Sequence, residues 1–162
     1  MKSLSVSIML LALSVTGWSQ ASPKAKPISP LLEYAGQWTS VFDGKVWLNL
    51  QLELRGEQLT GSLVRPQKVE INDNGGIKSV SQEQNTETVA EAVVNPDGLL
   101  LTLQHADTQD RDHYQMRLIS PEKQTADLKM IGMPMPPGMP KPMPWRLVKS
   151  GSAATKPAET PH

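Results

Sequence analysis

The chain contains no cysteine, which excludes a disulfide framework, a lipid-modified N-terminal cysteine and thiol catalysis. Aromatic residues are scarce, with four tryptophans, two tyrosines and one phenylalanine in 162 residues. Charge of one sign is lacking too. Sixteen lysine and arginine residues face sixteen aspartate and glutamate, so no net field draws in nucleic acid or an anionic membrane surface. No serine stands in a nucleophile elbow, there is no HExxH, and no glycine-rich loop joins a strand to a helix. The sequence therefore reads as non-enzymatic and without a cofactor.

What is present begins with an apolar run from Leu4 to Val15 behind Lys2. It is too short and too rich in serine to span a bilayer comfortably. Ser19-Gln20-Ala21 then puts small residues at the −3 and −1 positions of a cleavage site, which completes the form of a secretory signal peptide. The expectation is a signal peptide over residues 1–21, cleaved after Ala21, with a secreted or periplasmic product that does not insert in a membrane. A retained anchor is the alternative. Cleavage leaves fifteen basic against sixteen acidic residues, because Lys2 is the only charge removed. Residues 22–33 are rich in proline and residues 150–162 lack large apolar side chains. Such a linker and tail bury too little surface to offset their ordering entropy and are expected to be disordered. One domain remains, over residues 34–149, long enough for one core.

Its dominant period is two. KVWLNLQLELR places Val46, Leu48, Leu50, Leu52 and Leu54 on one face and Trp47, Asn49, Gln51 and Glu53 on the other, the pattern of a half-buried strand. GQWTSVF precedes it across Asp43-Gly44, a strong two-residue hairpin signal. QLTGSLVR, KVEIND, TVAEAVV, GLLLTLQH, HYQMRLI, TADLKMIG and PWRLVK continue the series, with turns at Asn95–Gly98 and Ser120–Lys123. Asp and Glu fall on predicted solvent faces and at turns. The fold class expected is all-β, a single antiparallel up-and-down barrel of about eight to ten strands, because closure removes sheet edges. A β-sandwich is the alternative.

At YAGQWTSVF the chain resembles the first strand of the calycins, the lipocalin, fatty-acid-binding and avidin-like barrels, which share Gly-x-Trp, here Gly36-Gln37-Trp38. The layout is also similar to small secreted bacterial proteins with a GxW first strand, a DGK hairpin and a closing Pro-Trp-Arg-Leu. Bacterial metalloprotease inhibitors that begin SGQW after an extended N-terminal trunk look similar as well. The calycin resemblance implies a barrel plugged at one end by Trp38, with Arg146 stacked on its ring.

Two constellations carry chemistry. His105 and His113 flank ADTQDRD, a predicted hairpin loop. Symmetry about Gln109 would set the two imidazoles opposite each other with Asp107 in reach, a set suited to zinc, copper or nickel. Acidic residues are equally the default at hairpin tips, and a one-residue slip separates the histidines. No tight metal site at His105, Asp107 and His113 is therefore expected. The second constellation is GMPMPPGMPKPMPW, where Met133, Met135, Met139 and Met143 alternate with prolines shortly after Met130. Three readings stand: a plain crossing of the barrel end, a lid that touches ligand, or a Cu(I) carrier built from soft thioethers.

The reading these observations favour is an exported, monomeric barrel that takes a small apolar or amphipathic molecule non-covalently. Leu48, Leu50, Leu52, Leu101, Leu103, Met116 and Leu118 would line it, with Met133, Met135, Met139 and Met143 at the mouth. The alternatives are a protein-interaction module, such as a protease inhibitor whose trunk ends near Glu33, and a periplasmic metal carrier using the Met-Pro segment.

Overall fold

The computed structural model describes residues 29–120, 122, 124–132, 134 and 137–150. Residues 1–28, which hold the expected signal peptide and the first part of the expected linker, the tail beyond Ser150, and Met133 and Met135 lie outside these. A short 3-10 helix, Pro30–Glu33, precedes ten strands: β1 Gly36–Phe42, β2 Lys45–Arg55, β3 Gln58–Pro66, β4 Val69–Ile71, β5 Ile77–Val80, β6 Gln84–Asn95, β7 Gly98–His105, β8 Arg111–Leu118, β9 Thr125–Ile131 and β10 Trp145–Ser150.

Eight of them close an antiparallel barrel in the order β1-β10-β9-β8-β7-β6-β3-β2. The all-β barrel expected from the alternation is the fold. β4 and β5 form a separate two-stranded hairpin, inserted between β3 and β6, which pair directly with one another. The β1–β2 turn is tight because Asp43 and Gly44 both take positive φ, 51° and 72°, the backbone that a two-residue hairpin loop requires.

Alternation places Leu48, Leu50, Leu52, Leu63, Leu99, Leu101, Leu103, Tyr114, Met116, Ala126, Leu128 and Leu147 inward, all buried. Fully burying a leucine is worth about 1.5–3 kcal/mol, so this continuous core carries the fold. In β2 the phase changes once. The β1–β2 register shifts between Ser40 and Val41, and a bulge of this kind turns one residue to the other face. Val46, expected inside, is exposed, and Trp47, expected outside, is buried.

The two ends differ. At one end lie the 3-10 helix and the β2–β3, β6–β7 and β8–β9 connections. Leu31 packs against the core, and Trp38 is fully buried, its indole donating to the Tyr34 carbonyl at 2.8 Å. Lys149, not Arg146, stands over the Trp38 ring, 5.2 Å from its centroid, and donates to the Glu33 carbonyl. Arg146 is exposed and paired with Asp127 at 2.8 Å. The phase of β10 explains this: Lys149 is the register partner of Trp38. The other end collects the β1–β2 and β7–β8 turns, the β4–β5 hairpin and the Met-Pro crossing from β9 to β10.

Candidate functional site

Inside the barrel at this second end, the apolar alternation gives way to charge. Arg65 follows Leu63 on β3, Glu87 precedes Val89 on β6, His105 follows Leu103 on β7, and Asp112 precedes Tyr114 on β8. Cross-strand register brings them together, with Leu63 opposite Glu87, Glu87 opposite His105 and Leu103 opposite Asp112. Arg65 Nη2 lies 2.7 Å from Glu87 Oε1 and 3.1 Å from Asp112 Oδ2, and His105 Nε2 lies 3.1 Å from Asp112 Oδ2. Glu87 is 0% exposed. The carboxylates of Glu87 and Asp112 thus turn into the barrel end rather than onto the solvent face expected of acidic residues. The sequence does carry their signal: each extends an inward apolar alternation by one step with an ionisable residue.

Burial pushes the Glu87 carboxyl up from its ordinary value, and the positive charge of Arg65 only partly offsets this. Burial also acts to lower the Arg65 guanidinium, but nearby Tyr114, Glu87 and Asp112 leave it raised overall. Tyr114 is likewise raised, chiefly by burial. Among the described residues, Arg65 Nε, Glu87 Oε2 and the Tyr114 hydroxyl are buried with no hydrogen-bond partner.

The two histidines are not brought together. The β7–β8 register sets His113 opposite Thr102, so the hairpin is not symmetric about Gln109. His113 faces outward, its Nδ1 3.2 Å from the Thr102 hydroxyl, and Asp107 is exposed at the turn. The groups whose ligand atoms do converge, all within 4.8 Å, are Glu87, His105 and Asp112. Imidazole and two carboxylates suit a divalent ion, but the Arg65 guanidinium already bridges both carboxylates.

Above this cluster is a cavity of about 860 Å³ between the barrel rim and its cover. Its floor includes Arg65, Leu128, Met130 and Trp145; its cover is Val69 and Ile71 of the hairpin with Pro134, Met139 and Met143 of the crossing. Trp145 packs edge-on against Trp47 at 5.1 Å and tilted against Tyr114 at 6.1 Å, an aromatic group that joins the cavity floor to the core. The cover is clasped where Met143 N–H donates to the Gly75 carbonyl at 2.8 Å.

The leucines expected to line a ligand site do not border this cavity. Leu48, Leu50, Leu52, Leu101, Leu103 and Met116 are buried in one cluster with Trp38, and Leu118 packs against it. Over that half the inward side chains pack as one core, and this cavity lies at the rim, where β9 runs past the start of β10. Met139 and Met143 do border the cavity; Met133 and Met135 lie outside the described residues. Comparison with models of protein families, with curated proteins and with solved structures finds no match in any of the three.

Proposed function

We propose that this barrel binds a small amphipathic molecule non-covalently, beneath the cover at its open end. The observation that carries the reading is the cavity itself: about 860 Å³, with Leu128, Met130, Met139, Met143, Val69 and Trp145 on its walls. Ligand sites typically measure about 300–1,000 Å³ and are largely apolar with a few placed polar groups. Desolvation drives such binding, and exposed thioethers on a proline-stiffened segment accept varied shapes. The reading is one of binding without chemical turnover.

A calycin-like ligand carrier is favoured over an inhibitor with a free trunk. Residues 30–33 are helical, and Leu31 packs on the core, which supports a structural role for the segment before β1. We place the protein outside the cytoplasm with its leader removed; the intact mass of exported material should begin at Ser22, and a membrane-bound product that retains Met1 would contradict this placement.

The binding reading is tested with the neutral fluorophore 1-N-phenylnaphthylamine, which brightens in apolar surroundings. Saturable enhancement with quenching of Trp145 emission is expected. No saturable enhancement would overturn it.

A further inference from the structure

The charge around the cavity differs from the charge of the chain. Overall, basic and acidic residues are equal in number, yet the cavity is bordered by Arg65, Lys78, Lys129 and Lys141 against a single carboxylate, Glu70. Three of these cations are unmatched: among the described residues, Lys78, Lys129 and Lys141 make no ion pair. Glu70 is held by the Ser79 hydroxyl at 2.9 Å. Arg65, by contrast, is shared between Glu87 and Asp112.

We infer that the ligand is a single-chain amphiphile with an anionic head, bound tail-inward with the head at Lys78, Lys129 and Lys141. This inference rests on the binding reading above and fixes the ligand's charge and direction. The inner end of the cavity does not suit an anion, because the one guanidinium there is already paired with the carboxyl groups of Glu87 and Asp112. An anion pressed inward would meet their repulsion in a medium that screens poorly. The lysines lie at the exposed rim, where an ammonium keeps its water and still attracts a passing anion. Met130, Met143 and Trp145 are apolar parts of the same lining, against which the chain would lie while its head stays wet.

The test uses the full exported chain and three ligands of one chain length: decanoate, decanol and decylammonium, each below its micellar concentration, displacing phenylnaphthylamine. Decanoate should bind about tenfold tighter than decylammonium, a difference that a few rim charges supply. The preference should shrink as salt rises from low to physiological strength, because exposed charges are screened. Replacing Lys78, Lys129 and Lys141 together by glutamate should reverse the order of decanoate and decylammonium, each measured relative to decanol in the same variant; replacing all three by arginine should preserve it. If the glutamate variant folds poorly by circular dichroism, glutamine at the three positions and the salt dependence of the native chain give the same discrimination. Decanol binding with no preference for decanoate over decylammonium would overturn the head-group inference and leave the cavity reading standing. Failure of all three, and of the fluorophore, would overturn the cavity reading. Phosphatidylglycerol vesicles distinguish a membrane-held head from a free one: binding to vesicles without binding to monomeric decanoate would also overturn the inference.

Discussion

The backbone N–H of Met143 donates to the carbonyl of Gly75 at 2.8 Å, joining the tip of the β4–β5 hairpin to the Met-Pro crossing. Gly75 sits at φ 81°, and a Cβ built there would lie 2.1 Å from the Lys141 carbonyl oxygen. Only glycine fits at the clasp. Gly75→Ala should loosen the cover by at least about 1–2 kcal/mol, the cost of a left-handed non-glycine backbone. Phenylnaphthylamine affinity should then fall by about tenfold, while the melting temperature hardly moves because the hairpin lies outside the barrel. Unchanged affinity would mean the cover plays no part in binding.

The Met-Pro crossing itself is tested by side-chain chemistry. Met139→Leu with Met143→Leu keeps apolar volume, and such swaps usually cost under about 1.5 kcal/mol, so probe binding should persist. Serine at both positions should weaken it. Loss of binding in the leucine variant would point to sulfur, and hence to soft-metal chemistry, rather than to apolar contact.

At the closed end, Trp38→Ala should cost about 3–5 kcal/mol, as large aromatic truncations in cores do. Lys149→Ala should cost about 1 kcal/mol through its contact with the ring. Arg146→Ala should stay within about 1 kcal/mol, since it removes only an exposed ion pair. Chemical denaturation of the three variants checks the order. Equal losses at positions 146 and 149 would contradict the assignment of Lys149 to the plug.

The Glu87 carboxyl, raised by burial, gives a signed dependence on pH. The folded chain holds this proton more tightly than the unfolded chain does. The group's contribution is therefore most favourable below the unfolded glutamate value and declines as pH rises through the folded one. Glu87→Gln keeps the shape without the charge, so its stability relative to the native chain should improve as pH goes from 4 to 8. A difference independent of pH would show that Arg65 compensates the carboxylate fully.

Adding Zn²⁺ should leave the melting temperature nearly unchanged, because Arg65 occupies the place between Glu87 and Asp112 that an ion would need. A ligand at a thousand times its dissociation constant would add about 4 kcal/mol, so tight binding is easy to see. A large shift abolished by His105→Ala would show that the ion displaces the guanidinium.

The barrel was legible because period two persists through β2, β7, β8 and β9, and tight-turn residues stand between them. Closure itself followed from the need to remove edges. Local exceptions were hidden: nothing around Trp47 announces the bulge that turns it inward, since a bulge is decided jointly with the facing strand at Ser40 and Val41. The candidate site was legible only in part. Arg65, Glu87, His105 and Asp112 each look like a strand-end charge, and only the register of four separate strands makes them neighbours. The histidine pair failed for the same reason in reverse, because a shift in one hairpin sent His113 outward. The Met-Pro segment was visible at once, whereas the cavity beneath it depends on a hairpin whose docking no local pattern encodes.

The pairing of Trp38 with Lys149 also orders events in time. β1 is hydrogen-bonded to β2 on one side and to β10, the last strand, on the other. Every other barrel pairing except β3 with β6 joins strands that follow one another in the chain, and all of these but β9 with β10, joined by the Met-Pro crossing, are hairpins that can form early over short loops. The seam between β1 and β10 must wait for nearly the whole domain to emerge. Until it forms, β1 is an open edge, and Trp38 lacks the cation that covers it. Synthesis that pauses before Trp145 would leave a curled sheet with one exposed strand, the form most prone to pair with another copy. Because the plug and the seam coincide, completing the last strand removes the edge and covers the tryptophan in one step.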